Sequence, residues 1–187
     1  RLLQGDVGSG KTVVAFLSLL SAVEAGGQGV LMAPTEILVQ QHLENLRPLG
    51  NKVGVVVEAL TGRDKGKERD RKLAALLEGK IHILIGTHAV FQSGVHFLDL
   101  RLAIIDEQHR FGVRQRLALG EKGQSVDVLV MTATPIPRSL ALSQYGEMDL
   151  TVLTDKPAGR KPVKTVIISD NRAVSYTHLR AHETTPH

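Results

Sequence analysis

Two polar stretches of this sequence carry side chains whose types and spacing could do chemistry. The first is GDVGSGKT, Gly5 to Thr12, and the second is IIDEQH, in which Asp106 and Glu107 end an apolar run. Glycines followed by lysine and threonine suit phosphate binding, because backbone N–H groups and an ammonium can surround phosphate oxygens. Two adjacent carboxylates at the end of a buried strand are costly unless a cation opposes them. Together the two stretches predict a site for phosphate and a divalent cation.

The first stretch, here called the phosphate loop, fits the pattern GxxxxGK[ST]. Lys11 is predicted to contact the β- and γ-phosphates of a nucleotide, and the Thr12 hydroxyl to hold Mg²⁺. The other predicted phosphate-binding residues are Gly5, Asp6, Val7, Gly8, Ser9 and Gly10. The alternative is a Gly-rich turn without a ligand, but an apolar strand precedes the loop and a helical pattern follows it, as phosphate binding requires. The loop alone does not distinguish a kinase from a GTPase or a motor.

In the second stretch, Asp106 is predicted to hold Mg²⁺ and Glu107 to orient and polarise the water that attacks the γ-phosphate. We expect Mg²⁺ and Lys11 to oppose the paired negative charge. The alternative for Asp106 is a cap on a helix that starts near Gln108. His109, taken alone, is more typical of a loop histidine than of a catalytic one.

Both stretches need elements that hold them, and the hydrophobic pattern predicts alternating strands and helices. The predicted strands are residues 1–5, 29–34, 52–60, 81–87, 101–107 and 127–134, and the predicted helices are residues 12–25, 36–46, 67–78 and 138–145. Near-continuous apolar strands between helices predict an α/β fold, with a mostly parallel sheet covered by helices on both faces. In such folds ligands bind at the carboxyl ends of the strands, which is where both polar stretches lie.

Composition excludes several other classes of protein. A chain of 187 residues with 42% hydrophobic residues can bury a core, and the absence of cysteine removes disulfide and thiolate metal sites. The longest apolar run, residues 12–23, is too short to span a bilayer and no signal peptide precedes it, so we expect a cytoplasmic protein with no membrane partner. The net charge of +4, with basic excess in residues 63–72 and 155–164, suits a solvated surface and an anionic partner equally. Aromatic residues make up only 3%, which argues against base stacking as the main binding mode.

Five ordered motifs make the sequence similar to one family. LLQGDVGSGKT, MAPTEIL (32–38), IGTHAVFQ (85–92), DEQHRFGVRQR (106–116) and MTATPIPRSLA (131–141) resemble the motifs of the RecG-type branched-DNA helicases of superfamily 2. The resemblance runs from Arg1 to about Arg172, and His109 completes a DExH signature. It implies a RecA-like P-loop NTPase fold with ATP and Mg²⁺ as cofactors. It also implies an ATP-dependent motor that remodels branched DNA, such as replication forks and Holliday junctions, in recombination and repair.

The resemblance further implies roles for individual residues. The implied catalytic residues are Lys11, Asp106, Glu107 and His109. The residues implied to contact the DNA backbone are Pro34, Thr35, Thr61, Gly62, Thr87 and His88, and Ala33 and Glu36 belong to the same motif as Pro34 and Thr35. The residues implied to couple hydrolysis to domain movement are Gln108, Thr132, Ala133 and Thr134. The strand-contact residues lie in short loops after strands, where backbone N–H and hydroxyl groups suit phosphate contacts. The coupling threonines are expected to act through a hydrogen bond to Gln108 or His109. Taken alone, Thr35 would be predicted to cap a helix and the TAT threonines to end a strand.

The same resemblance divides the chain into four parts. Residues 1–152 match the first motor domain, 153–164 a linker rich in Pro, Gly and Lys, and 165–173 the start of a second motor domain. Residues 174–187 show neither the helical nor the strand periodicity of hydrophobic residues. This composition indicates a foreign or disordered tail, and the alternative is a histidine-rich tract that binds metal. In this family the second motor domain, expected in cis, supplies the arginine that stabilises the transition state, and an upstream domain confers fork specificity. We therefore expect this chain to bind nucleotide but to hydrolyse ATP weakly.

Three other functions fit part of the pattern. A transcription-repair coupling factor is similar across TATPIPR and HRFGV, but Gln108 and the SGKT ending of the phosphate loop favour the RecG type. A non-catalytic nucleotide- or DNA-binding module would not require Glu107. A small-molecule P-loop kinase would have no need of the strand-contact loops and usually carries a lid.

Overall fold

Apolar runs along the chain pair with one another as parallel strands. The structure, a computed structural model, describes residues 1–92, 94–106, 126–134 and 149–154. The strands in those ranges are β1 (Leu2–Gly5), β2 (Gln28–Met32), β3 (Val57–Leu60), β4 (Ile83–Gly86), β5 (Leu100–Asp106), β6 (Asp127–Thr132) and β7 (Leu150–Leu153). They form one sheet in the order β3-β4-β2-β5-β6-β1-β7, and every neighbouring pair is parallel. The predicted parallel sheet is confirmed.

Helices connect the strands and cover both faces of the sheet. They are α1 (Lys11–Glu24), α2 (Glu36–Lys52), α3 (Gly66–Leu77) and a short 3₁₀ helix at His88–Phe91. Successive residues of β5 point to opposite faces. Ile104 belongs to the apolar cluster that contains Phe16 of α1, whereas Ile105 belongs to the cluster that contains Leu76 of α3. The predicted helices 12–25 and 67–78 are confirmed to within one residue at each end. None of the helices in the described ranges combines the length and apolarity needed to cross a membrane.

The carboxyl ends of the described strands meet at one edge of the sheet, because every pairing is parallel. Three adjacent strands, β1, β6 and β5, end at the phosphate loop, at Thr132 and at Asp106. The next three strands, β2, β4 and β3, end before the loops that contain Thr35, Thr87 and Thr61. We call these two groups the nucleotide half and the strand-contact half of the carboxyl edge. The two halves meet where β2 pairs with β5.

The predicted helix 36–46 and the predicted strand 52–60 both have wrong boundaries. α2 continues through Pro48 to Lys52, and β3 begins only at Val57. Pro48 cannot donate a helical hydrogen bond, but it is exposed, so water can reach the carbonyl that the helix leaves unpaired. The predicted strand began too early, because the valines of the turn before Val57 have the same hydropathy as the valines of a strand.

The strand β7 was not predicted. It pairs with β1 over its whole length, but its four residues are exposed or half-buried, so they carry little hydrophobic signal. β7 ends one residue beyond the predicted domain boundary at residue 152, and all described residues belong to one compact unit, Arg1–Lys156. The predicted helix 138–145 and the predicted linker, second-domain start and tail from residue 155 onwards lie outside the described residues. The division into four parts therefore stays a prediction.

A buried glutamine ties together the opposite, amino edge of the sheet. Gln28 opens β2 and is only 3% exposed. Its Nε2 donates to the carbonyls of Leu76 and Ile81, at 2.9 and 2.6 Å. Its Oε1 accepts from the N–H groups of Leu98 and Asp99, at 2.7 and 3.1 Å. The amide thus uses both donors and both acceptor positions, and it joins the connections that enter β4 and β5.

The substitution Gln28→Leu should destabilise the fold, because it preserves an apolar body but leaves four backbone groups without this partner. Each unpaired buried group costs about 1 to 3 kcal/mol, and water can satisfy some of them, so we expect a loss of about 2 to 4 kcal/mol in the free energy of unfolding. Urea unfolding measures this loss. The control is Gln40→Leu on the exposed face of α2, expected within about 0.5 kcal/mol of wild type. Equal urea midpoints for the two variants would contradict the role given to Gln28.

Candidate functional site

The phosphate loop joins β1 to α1 through two glycines in the left-handed region. Gly8 has φ 78° and Gly10 has φ 93°, values that residues with a Cβ rarely adopt. Gly5, at the end of β1, is required for a different reason, because a Cβ there would collide with Ser9 Oγ. The glycine spacing from which this loop was predicted therefore follows from the path of its backbone.

Lys11 holds the loop closed from the first turn of α1. Its Nζ donates to the carbonyls of Gly5 and Asp6, at 2.7 and 3.0 Å. Asp6 also accepts from Val7 N through its carboxylate, at 2.7 Å, and from Ser9 N through its carbonyl, at 3.1 Å. Because an ammonium has three donors and two are engaged here, one N–H of Lys11 can serve a ligand.

The N-terminus of α1 presents positive potential to the loop. Gly10 caps the helix without a side-chain hydrogen bond, and the first turn contains no acidic residue. Val13 N–H donates to the carbonyl of Gly10 at 3.0 Å, but no side chain neutralises the preceding N–H groups of the turn or the helix dipole. Ser9 Oγ, in the same loop, is buried and has no hydrogen-bond partner among the described residues. Phosphate oxygens bound in the loop would supply acceptors for both.

A cavity of about 350 Å³ opens beside the loop. It is lined by Val7, Gly8, Gly10, Lys11, Thr12, Leu38, Asp106 and Ala133. The cavity thus brings together the phosphate loop, the acidic strand end and the coupling motif, which are far apart in the sequence. Thr12 and Asp106 contribute a hydroxyl and a carboxylate, the hard oxygen donors that Mg²⁺ prefers, so the residues present fit the predicted cation.

Asp106 has a polar partner that was not predicted. Its Oδ2 lies 2.9 Å from Nε2 of His42, which is 7% exposed. The Lys11 ammonium is bonded to the carbonyls of its own loop rather than to this carboxylate, although both residues line the cavity, so the expectation that Lys11 opposes the charge of Asp106 stays a prediction. An imidazole from α2, and not the loop lysine, is therefore the hydrogen-bond partner of the acidic strand end.

The sequence feature that could have identified His42 as a buried residue is the spacing of the apolar residues in α2. Val39, Leu43 and Leu46 are buried on one face of the helix, and position 42 falls on the same face. A buried histidine at such a position requires a polar partner. The sequence cannot identify that partner, because the answer depends on which strand ends the folded sheet brings within reach of α2.

The coupling motif ends β6, between the strand of the phosphate loop and the strand of Asp106. Thr132 is buried and its Oγ1 accepts from the N–H of Thr134, at 3.1 Å. Ala133 lines the cavity. The predicted site residues that lie outside the described ranges are Glu107, Gln108 and His109. Their roles, and the predicted hydrogen bond from a coupling threonine to Gln108 or His109, stay predictions.

Two loops of the strand-contact half are joined by Glu36. Thr35 caps α2 by accepting from Leu38 N at 3.3 Å, so the prediction of a helix cap is confirmed. Glu36 accepts from the N–H of Gly62 at 3.2 Å and forms an ion pair with Arg63 at 2.9 Å. The Gly62 N–H that we expected to face phosphate is therefore engaged. The side chain of Arg63 is 87% exposed and can reach an anion.

Asp64 organises the turn after β3. Its carboxylate accepts from the N–H of Thr61 at 2.8 Å and pairs with Lys72 at 2.6 Å. Burial alone would raise the pKa of Asp64, but the hydrogen bonds from Lys72 and Thr61 outweigh burial and hold its pKa below the ordinary value of 3.8. The backbone N–H of Thr61 is thus engaged as well, and the turn is held in one shape.

The other strand-contact residues differ in exposure. Thr87 is buried at the start of the 3₁₀ helix, whereas Pro34, Thr35 and His88 are exposed. The residue before Thr87 is Gly86, and a Cβ at position 86 would collide with the Val90 side chain and the Leu60 carbonyl. This half of the edge therefore offers a ligand exposed side chains more than the backbone N–H groups that we expected.

Comparison with known proteins gives a family for this arrangement. A sequence profile of the DEAD/DEAH box helicases matches residues 1–142. The chain belongs to the DEAD/DEAH box helicase family. ATP-dependent DNA helicase RecG of Bacillus subtilis (strain 168) is 56% identical over 165 residues, which cover 88% of this chain and 24% of that protein. RecG of Escherichia coli (strain K12) is 52% identical over 176 residues, which cover 92% of this chain and 25% of that protein.

Solved structures of helicases are similar to this chain as well. It superposes on a chain from the structure of RecG bound to a three-way DNA junction with a TM-score of 0.82 and 46% identity, covering 98% of this chain and 24% of that chain. The helicase domain of Pyrococcus furiosus Hef shares the fold, with a TM-score of 0.62 and 22% identity over 81% of this chain and 34% of that chain. The predicted RecG-type resemblance and RecA-like fold are confirmed. The chain spans about a quarter of the length of the curated relatives it matches.

The substitution Asp64→Asn should destabilise the fold at neutral pH and lose this effect in acid. A carboxyl whose pKa is lowered by folding contributes stability above its unfolded pKa, near 3.8, and that stability is lost as the pH falls through the lower folded pKa. The difference in the free energy of unfolding between wild type and variant should be largest above about pH 5 and shrink below about pH 4. Urea unfolding at pH 7, 5 and 3 measures it, with Asp70→Asn on the exposed face of α3 as the control. A difference that stays constant from pH 7 to pH 3 would show that the charge of Asp64 is not what matters.

Proposed function

We propose that this chain is the ATP-binding first motor domain of an ATP-dependent DNA helicase, which remodels branched DNA such as replication forks and Holliday junctions in recombination and repair. The cavity where the phosphate loop meets Asp106 and Ala133 is the observation that carries the proposal. Its relatives at 52–56% identity are named ATP-dependent DNA helicase RecG. A three-way DNA junction in the solved RecG structure supports branched DNA as the substrate.

In the proposed nucleotide site each described residue has one task. Lys11 binds the terminal phosphates through the N–H that its loop does not use, and the open first turn of α1 binds phosphate oxygens beside it. Thr12 and Asp106 would hold Mg²⁺, whose positive charge would offset the negative charge of the phosphoryl group during transfer. Glu107, next to Asp106 in the sequence, orients and polarises the attacking water.

The strand-contact half of the edge would hold the DNA backbone. Thr35, Arg63 and His88 are exposed there and offer a hydroxyl, a guanidinium and an imidazole to phosphate. Contacts of this kind position a strand without reading its sequence, as a motor that moves along DNA requires. The Glu36 carboxylate pairs with Arg63 in the described structure, so DNA phosphate would have to compete for that arginine.

The complete reaction needs parts beyond this chain, which spans about a quarter of its relatives. We propose that a second motor domain in the same polypeptide closes over the cavity and contributes an arginine to the transition state. Such an arginine raises the rate of phosphoryl transfer by about 10³- to 10⁵-fold. We propose that the TAT motif transmits that closure, and its position at the end of β6, between the strands of the phosphate loop and of Asp106, supports this role.

The substitution Lys11→Ala should weaken binding of a fluorescent ATP analogue in the presence of Mg²⁺ by at least about tenfold. It removes a hydrogen bond between charged groups, which is worth about 1.5 to 3 kcal/mol. Fluorescence anisotropy with this chain measures the affinity. The control is Lys80→Ala, because Lys80 is exposed, pairs with Glu78 and precedes β4 at the amino edge. Equal affinities for Lys11→Ala and Lys80→Ala would refute the phosphate-loop assignment.

In the longer protein that contains both motor domains, Glu107→Gln should retain nucleotide and junction binding and lose unwinding. An amide cannot act as a base towards the attacking water, so we expect Mg-ATP turnover to fall by at least about 100-fold. Turnover and the unwinding of a labelled three-way DNA junction are the measurements. Asp127→Asn, an exposed change at the amino end of β6, is the control and should retain both activities. Unwinding that persists in Glu107→Gln at the wild-type rate would exclude the proposed role of Glu107.

A further inference from the structure

Helix α2 touches both halves of the carboxyl edge. Its cap and first residue, Thr35 and Glu36, belong to the strand-contact half. Leu38 lines the cavity, and His42, one turn further along, reaches Asp106 in the nucleotide half. Side chains of one helix thus contact residues on both sides of the border where β2 pairs with β5.

The contact between His42 and Asp106 is buried and directional. Both side chains are largely shielded from water, and Nε2 of His42 lies 2.9 Å from Oδ2 of Asp106. An ionised carboxylate can only accept hydrogen bonds, so the imidazole donates. The bond restricts rotation of the carboxyl group about its terminal torsion. Within the described residues Oδ1 carries no hydrogen bond, and it is the oxygen that the cation shell can use.

A second observation separates His42 from an ordinary core residue. Among the described residues its ring makes no other hydrogen bond, so it does not join backbone segments as Gln28 does. Its neighbours on the buried face of α2, Val39 and Leu43, are apolar. An apolar residue at position 42 would satisfy the packing alone. The imidazole is therefore explained by the carboxylate that it contacts.

We propose that His42 is a positioning residue for the metal site: it aims Asp106 at the bound cation and fixes α2 against the nucleotide cavity. The inference rests on the proposed function, because it takes Asp106 to be a ligand of Mg²⁺ or of its water shell. Residues that hydrogen-bond a metal ligand are typically worth about 10- to 100-fold in metal affinity. His42 lies outside all five motifs that marked the family.

The test compares two substitutions of similar size that differ at the polar end. His42→Gln keeps an N–H donor, whereas His42→Met fills the same space without one, and both residues favour helices. Mg²⁺ is titrated into this chain with a fluorescent ATP analogue, and nucleotide affinity is also measured in excess EDTA. His82→Met is the matched control, because it removes a histidine that accepts from Val56 N at 2.9 Å and precedes β4, away from the carboxyl edge.

We expect His42→Met to raise the half-saturating Mg²⁺ concentration by about tenfold or more, with affinity in EDTA within about twofold of wild type. His42→Gln should recover most of the Mg²⁺ response, and His82→Met should match wild type. An unchanged Mg²⁺ response in His42→Met would overturn the inference, as would equal losses in His42→Met and His42→Gln or an equal loss of affinity in EDTA. A wild-type chain that binds nucleotide without any Mg²⁺ dependence would instead overturn the proposed metal site itself, and with it the basis of this inference.

Discussion

Parallel pairing of the strands is the constraint on which each candidate site in this chain depends. A parallel strand must be followed by a crossover, so each described strand ends at the same edge and each connection begins there. The order β3-β4-β2-β5-β6-β1 then sorts those ends into three that carry nucleotide residues and three that carry strand-contact residues. Residues as distant in sequence as Lys11 and Asp106 line one cavity for this reason.

The two edges of the sheet treat their polar groups differently. At the amino edge Gln28 uses every donor and acceptor of its amide, which stabilises the fold and leaves nothing for a ligand. At the carboxyl edge Ser9 Oγ has no partner in the described ranges, α1 lacks a side-chain cap, and Lys11 keeps one donor in reserve. Hydrogen-bonding groups without a partner beside a cavity are destabilising when no ligand is bound. Their concentration at one edge of the sheet indicates a binding site.

The sequence predicted those features that depend on a few residues close together in the chain, or on the hydrophobic periodicity of a single helix or strand. The phosphate loop and the acidic strand end were identified because a few adjacent residues within a strand-to-loop context determine them. Other features depend on contacts between distant segments, and the sequence did not predict them. His42 contacts Asp106 through its side chain from a helix that packs mainly on β3 and β4, and the N–H groups of Thr61 and Gly62 are engaged by carboxylates that no periodicity in the sequence identifies. β7 is too short and too exposed to stand out from a loop.

The place of β1 in the sheet has a consequence for how the domain is made. β1 lies between β6 and β7, with Leu2 opposite both Val130 and Leu150, so its two neighbouring strands come late in the chain. During synthesis the apolar β1 has no strand to pair with until those segments have left the ribosome, and contacts of such long sequence separation form slowly. The phosphate loop, anchored on β1, is therefore the first part of the cavity to be translated, but the pairing that holds its strand in the sheet has to wait for residues 127–132 and 150–153.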